Sequence, residues 1–256
     1  MKPLPAAAVA LALCSASSAR AKDAGFPPPS GDLRTVAPAL GSYEQDTAFG
    51  KLWKRPELSR RDRSIVTLSA LIARNQAAEL PRYLGLALDS GVKPGEISGL
   101  ITHLAFYSGW ANAMSAASAA RPVFAARGIG ADQLLAAEPG LLPLDETAEA
   151  QRAARVARDV RPVAPGLDQF TTDTLFRDLW LRPGLVPRDR SLVTVSALIT
   201  AGQAAQVPYR LARAMDDGLT RAEASEVVAH LAFYAGWPNA FSAVPAVKGV
   251  FDSRPN

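Results

Sequence analysis

The sequence predicts an all-α fold made of two tandem helical repeats that form a pseudo-twofold pair. Three observations carry that expectation. The stretch RDRSIVTLSALIARNQAAELPRYL at 61–84 returns as RDRSLVTVSALITAGQAAQVPYRL at 188–211. HLAFYSGWANAMSA at 103–116 returns as HLAFYAGWPNAFSA at 230–243, at the same offset of 127 residues. Period-two alternation is absent, whereas apolar residues recur at three- and four-residue spacing. From 49 to 124 the copies share about 40 identities over 76 aligned positions without a gap, beyond the chance likeness of two amphipathic segments. Two such units in one chain are the fused form of a symmetric dimer.

The opening MKPLPAAAVALALCSASSARA, residues 1–21, reads as a secretory signal. Lys2 gives a positive start, 4–14 a short apolar core, and Ala19-Arg20-Ala21 a cleavage site. A periplasmic or secreted destination follows, with cleavage expected after Ala21. Residues 22–37, with Pro27-Pro28-Pro29, read as an extended lead-in. The first repeat is placed at 38–128. Within it, 43–54 is expected to be one helix with Phe49, Leu52 and Trp53 on a face. Ser59, three before Asp62, caps a central helix whose run SIVTLSALIA at 64–73 is apolar nearly all round and therefore buried. A helix at 76–90 ends at Gly91, Pro94 opens the next through Tyr107, and Gly109 separates it from a last helix at 110–127. Residues 129–164 form a linker, with a charged connecting helix at 145–161 whose Ala153, Val156, Ala157 and Val160 make a thin apolar seam under a solvated face of arginines. The second repeat occupies 165–256.

Composition narrows the chemistry. The 256 residues carry 28 Lys+Arg against 24 Asp+Glu, two His and one Cys. One Cys excludes a disulfide framework and a CxxC pair, and two His are too few for a three-His metal centre. No metal and no cofactor is expected. A net charge of +4 with both signs interspersed gives no nucleic-acid stripe. Outside the signal, no stretch of eighteen apolar residues suggests a membrane span.

The histidines, His103 and His230, occupy equivalent positions among Tyr107, Trp110 and Asn112 and their counterparts Tyr234, Trp237 and Asn239. Each could be a satisfied core histidine tying helices together. Each could also belong to a small-molecule pocket, for which aromatic walls and a few polar groups suffice. Glu79, among Ala77, Ala78 and Leu80, is either a surface residue or a carboxyl with a raised pKa able to exchange a proton; Gln206 replaces it in the second copy. Arg61-Asp62-Arg63 and Arg188-Asp189-Arg190 read as ion-paired helix starts that fix the neighbouring unit, with substrate-carboxylate binding by Arg63 or Arg190 as the functional alternative.

The RDRSIVTLSALIA opening, the Glu79 segment, the Gly91-Val92 turn and HLAFYSGWANA together resemble the carboxymuconolactone decarboxylase family, over roughly 38–128 and 165–252. That resemblance implies an all-α fold and ring assembly, here a homo-oligomer of three two-repeat chains, with pockets between helices of adjacent units. It also implies a cofactor-free lyase acting on a small carboxylated lactone or related ring acid, with Glu79 and His103 as catalytic acid–base groups. Arg63, Tyr83, Tyr107, Trp110 and Asn112 would bind substrate, and Gln206, His230, Tyr234, Trp237 and Asn239 would be their second-copy equivalents. In the family's dithiol branch, cysteines stand at the places of Gln76 and Glu79 and of Gln203 and Gln206, so thiol peroxidase chemistry is excluded. The histidine that usually follows the glutamate by four residues is replaced by Tyr83 and Arg210. The alternative function is a non-catalytic exported helical oligomer that binds a small apolar or aromatic ligand.

Overall fold

The computed structural model describes residue 26 and residues 31–254. The expected signal segment lies outside them. The described residues form helices and turns with no strand. The lead-in, expected to be extended, ends instead in a short helix, α1 (Gly31–Val36), followed by α2 (Pro38–Tyr43). The continuous helix expected at 43–54 is broken. α2 runs into a π-helical turn at Glu44–Phe49 and then a 3-10 turn at Leu52–Lys54. This change of winding lets Phe49, Leu52 and Trp53 all turn inward, and all three are buried.

The central helix α3 (Arg60–Ala73) starts where expected. Ser59 Oγ accepts the Asp62 backbone N–H at 3.0 Å. Eleven of its fourteen residues are buried, from Asp62 to Ile72. Its serine hydroxyls are satisfied inside the helix, Ser64 and Ser69 donating to carbonyls one turn back at 2.9 and 2.7 Å. The next helix, α4 (Leu80–Asp89), starts four residues later than the sequence suggested, because 76–79 are taken up by turns and Pro81 sits in the first helical turn. α5 (Pro94–Ser108) and α6 (Trp110–Ala126) are separated by Gly109, whose φ of 94° only glycine adopts without strain.

The linker helix α7 (Glu146–Asp159) is capped by the Asp145 side chain, which accepts from the Ala148 N–H at 3.0 Å. Its arginines are not all solvated. Arg152 is buried, pairs with Glu149 through two 2.7 Å hydrogen bonds, and lies 4.1 Å from the Phe176 ring centre. The second copy repeats the first: α8 (Pro165–Phe170), α9 (Pro187–Thr200), α10 (Val207–Asp216), α11 (Arg221–Ala235) and α12 (Trp237–Asp252).

One core joins both copies. The two central helices α3 and α9 pack on each other, α5 of the first copy packs on α9, and α11 of the second packs on α3. Reciprocal ion pairs close the centre. Arg61 Nη2 donates to Asp189 at 2.6 Å, and Arg188 donates to both Asp62 oxygens at 3.0 and 2.9 Å. The expectation that these helix starts fix the neighbouring unit is met.

Candidate functional site

The crossing of α5 onto α9 decides the partners of His103. The imidazole is fully buried. Its Nδ1 lies 3.2 Å from Arg190 Nη1 and its Nε2 2.8 Å from Thr194 Oγ1, both in the second copy. A guanidinium only donates, so Nδ1 is the acceptor and Nε2 carries the proton. Thr194 Oγ1 in turn donates a hydrogen bond to the Arg190 carbonyl at 2.9 Å. His230 is held in the mirror arrangement by Arg63 Nη1 at 3.3 Å and Thr67 Oγ1 at 2.8 Å. Burial, reinforced by the neighbouring guanidinium, holds both imidazoles well below their usual pKa. They are neutral at physiological pH, and both ring nitrogens of each are occupied.

Each imidazole anchors an aromatic cluster. His103 stacks on Tyr107 at 4.7 Å and meets the edge of Trp180 at 5.3 Å. Trp180 Nε1 donates to the Tyr107 hydroxyl at 2.9 Å, and Arg210 lies 4.6 Å from the Trp180 ring centre. The second cluster has His230 stacked on Tyr234 at 4.8 Å, with Trp53 Nε1 donating to the Tyr234 hydroxyl at 2.7 Å. Tyr83 meets Tyr234 edge-on at 5.5 Å where the other cluster has Arg210. Burial raises the pKa of all three phenols, so they remain protonated donors.

Glu79 and His103 are not brought together. Tyr83, one turn beyond Glu79, belongs to the His230 cluster, so Glu79 stands on that side of the molecule. Its side chain is exposed rather than enclosed, because Ala77 and Ala78 lie in a surface turn. Its counterpart Gln206 is likewise exposed. Arg63 is fully buried against His230, the Arg55 carbonyl and the Glu226 carboxylate, so it is not free to hold a substrate. Trp110 is 63% exposed, packed edge-on against Phe106, and Trp237 is its outward-facing equivalent. Asn112 is a helix tie: its Nδ2 donates to the carbonyls of Ala73 and Ser108 at 3.3 and 2.9 Å, and Asn239 does the same to Thr200 and Ala235 at 3.0 and 3.1 Å. These asparagines answer carbonyls left over at the ends of two helices.

Sequence reasoning missed Trp53, Thr67, Trp180, Thr194 and Glu226. All but Glu226 recur identically at the 127-residue offset, a signal that was available. It also left Arg210 outside the site, and it weighed Arg190, the counterpart of Arg63, only as a holder of a substrate carboxylate.

The two clusters differ in access. Phe26 stacks on Phe49 at 4.8 Å and meets Trp53 at 5.8 Å, covering one side of the His230 cluster. Beside the His103 cluster lies a cavity of about 230 Å³ between α7 and α10. Trp180, Phe176, Tyr209, Arg210, Arg213 and Asp217 are among its walls. Burial raises the Asp217 carboxyl above the usual carboxylate range. Three guanidinium groups and three acids line the cavity, Arg152 being paired with Glu149; Arg210, Arg213 and Asp217 beside an aromatic wall suit a small ring bearing a carboxylate. Among the described residues, no cluster of three or more His, Cys, Asp or Glu could hold a metal ion.

Fold and site define the class: a duplicated all-helical protein whose imidazole clusters are each completed across the repeat boundary. The chain belongs to the carboxymuconolactone decarboxylase family, whose model matches residues 38–122 and again 165–249. It is 34% identical over 87 residues to the 4-carboxymuconolactone decarboxylase of Acinetobacter baylyi, a match covering 34% of this chain and 65% of that protein. It is 37% identical over 62 residues to a nitrosuccinic acid decarboxylase of Metarhizium robertsii, covering 24% of this chain and 43% of that protein. The matches thus span less than two thirds of either relative.

Proposed function

We propose that the protein is a carboxy-lyase for a small carboxylated lactone or related ring acid, working in the cavity between α7 and α10. The observation that carries this reading is the convergence of Arg210 with Trp180 and Asp217 on one small cavity beside the buried His103–Tyr107 pair. The similarity to two decarboxylases supports the reaction class. Loss of CO₂ leaves an electron pair that spreads onto a neighbouring carbonyl. The site must then hold the anion, stabilise the developing oxyanion and return a proton to carbon. Arg210 and Arg213 hold the carboxylate, Asp217 supplies the proton, and Trp180 forms the wall. His103 acts as a positioning residue: with both nitrogens occupied it does not touch substrate, and it fixes the Tyr107 ring. Conversion of a panel of carboxylated lactones and ring acids by the purified protein, followed by mass spectrometry, tests the proposal. Loss of one CO₂ from a panel member supports it. A panel that is bound and returned unchanged refutes it.

That second outcome would favour the other reading, a non-catalytic helical oligomer that binds an apolar ligand. Its specific support is an open groove of about 770 Å³ on α11 and α12, lined by Phe233, Trp237, Phe241 and Phe251 among others.

A further inference from the structure

Gly99 stands in the first copy at the place that Glu226 holds in the second. The Glu226 carboxylate is the counter-charge of a buried arginine. Arg63 Nη2 donates to it at 2.9 Å, and Arg55 Nε donates to both of its oxygens at 2.9 Å. The equivalent arginines on the other side are Arg190 and Arg182. With glycine at 99, nothing replaces the carboxylate. Arg182 has turned to Asp178, at 2.9 and 3.2 Å, and to the Ala137 carbonyl at 2.9 Å. Arg190, 1% exposed, meets only the carbonyls of Arg182 and Leu185 and Nδ1 of His103. Among the described residues it makes no ion pair, whereas Arg63 does. Nε lacks an acceptor in both arginines, so the difference between the copies is the missing charge.

A buried cation without a counter-ion is expensive, and burial pushes the Arg190 guanidinium down to a pKa of about 10. A cavity of about 100 Å³ lies at this position, lined by Ser98, Gly99, Thr102, Arg182 and Arg190, with 135–137 of the linker on one side. Thr102 is itself exposed, which gives the cavity an edge at the surface. Its volume equals that of roughly three waters, too small for a ring acid.

We propose that this cavity binds a small monovalent anion, of formate or halide size, which takes the place of the Glu226 carboxylate beside Arg190. The site is distinct from the aromatic cavity, and the proposal does not depend on the lyase reading. The full chain is titrated with sodium formate, and separately with bromide, at ionic strength held constant with gluconate, which is too large to enter. Thermal unfolding should show a saturable rise in Tm, and a bromide-soaked crystal should show an anomalous peak beside Arg190. Ser98→Leu fills the cavity without touching Arg190 and should weaken the apparent affinity about tenfold or more. Gly99→Glu restores the internal carboxylate and should abolish the response. Its Cβ would lie 3.3 Å from the Gly184 carbonyl carbon, so Ser98→Leu carries the test if that variant does not fold. Absence of a saturable response to both ions, or an undiminished response in Ser98→Leu, overturns the proposal.

Discussion

Arg190 of the second copy donates to Nδ1 of His103 in the first, 3.2 Å away, and both side chains are buried. The contact fixes the imidazole tautomer and joins the copies at a point remote in sequence. His103→Phe keeps the ring stacked on Tyr107 but takes away the acceptor of a buried guanidinium. The expected loss is about 2–4 kcal/mol in urea-induced unfolding. A change below about 0.5 kcal/mol would mean that this contact is not structural.

Stability should fall as pH drops through the ordinary histidine range. Both imidazoles have a folded pKa well below the ordinary histidine value of 6.5, because burial disfavours the charged form. Below that value the unfolded chain takes up protons that the folded chain refuses. The stabilisation is therefore complete above about pH 6.5 and is lost as pH falls, at about 1.4 kcal/mol per pH unit for each histidine. Urea titrations at pH 7.5, 6.0 and 5.0 measure this, with the double variant His103→Gln/His230→Gln expected to flatten the slope. An equal slope in that variant would assign the effect to other groups.

The reciprocal ion pairs at the starts of α3 and α9 yield a third prediction. Asp62 and Asp189 are buried, while Arg61 and Arg188 are partly exposed and have second partners in Glu96 and Glu223. Asp62→Asn or Asp189→Asn should each cost about 1–2 kcal/mol, less than a fully buried pair because solvent screens the arginines. Chemical denaturation with added salt checks both the size and the screening.

Arg210 and Glu79 separate the two possible locations of the chemistry. Arg210→Leu should lower kcat/KM on the true substrate about 100-fold by removing the carboxylate partner. Glu79→Gln, at the surface on the side of the other cluster, should leave turnover within about twofold. The reverse pattern would move the reaction to the His230 side.

Much of this architecture was legible in the sequence. The 127-residue offset gave the two units, the all-round apolar run at 64–73 gave the buried central helix, and Ser59 and Asp62 gave its cap. The site was less legible, for physical reasons. An internal repeat shows which residues are equivalent, but not whether His103 meets Arg63 of its own copy or Arg190 of the other. Glu79 looked enclosed because alanines flank it, yet alanine covers little and is at home in a surface turn. Asn112 and Trp110 looked like pocket residues because they sit among aromatics. One spends its amide on helix-end carbonyls, and the other points outward at the start of its helix. Arg190 was weighed only as a helix-start ion pair or a carboxylate holder, because the repeat shows glycine at 99 against glutamate at 226 but not that the glutamate meets the buried arginine.

The cross-wiring of the imidazoles has a consequence for descent. After the duplication, damage to the arginine in one half became a lesion in the other half's histidine. The two halves are therefore constrained together at those positions. The copies differ instead where Tyr83 stands in one and Arg210 in the other, and where Glu226 stands in one and Gly99 in the other. The two mouths could specialise while their foundations stayed twinned.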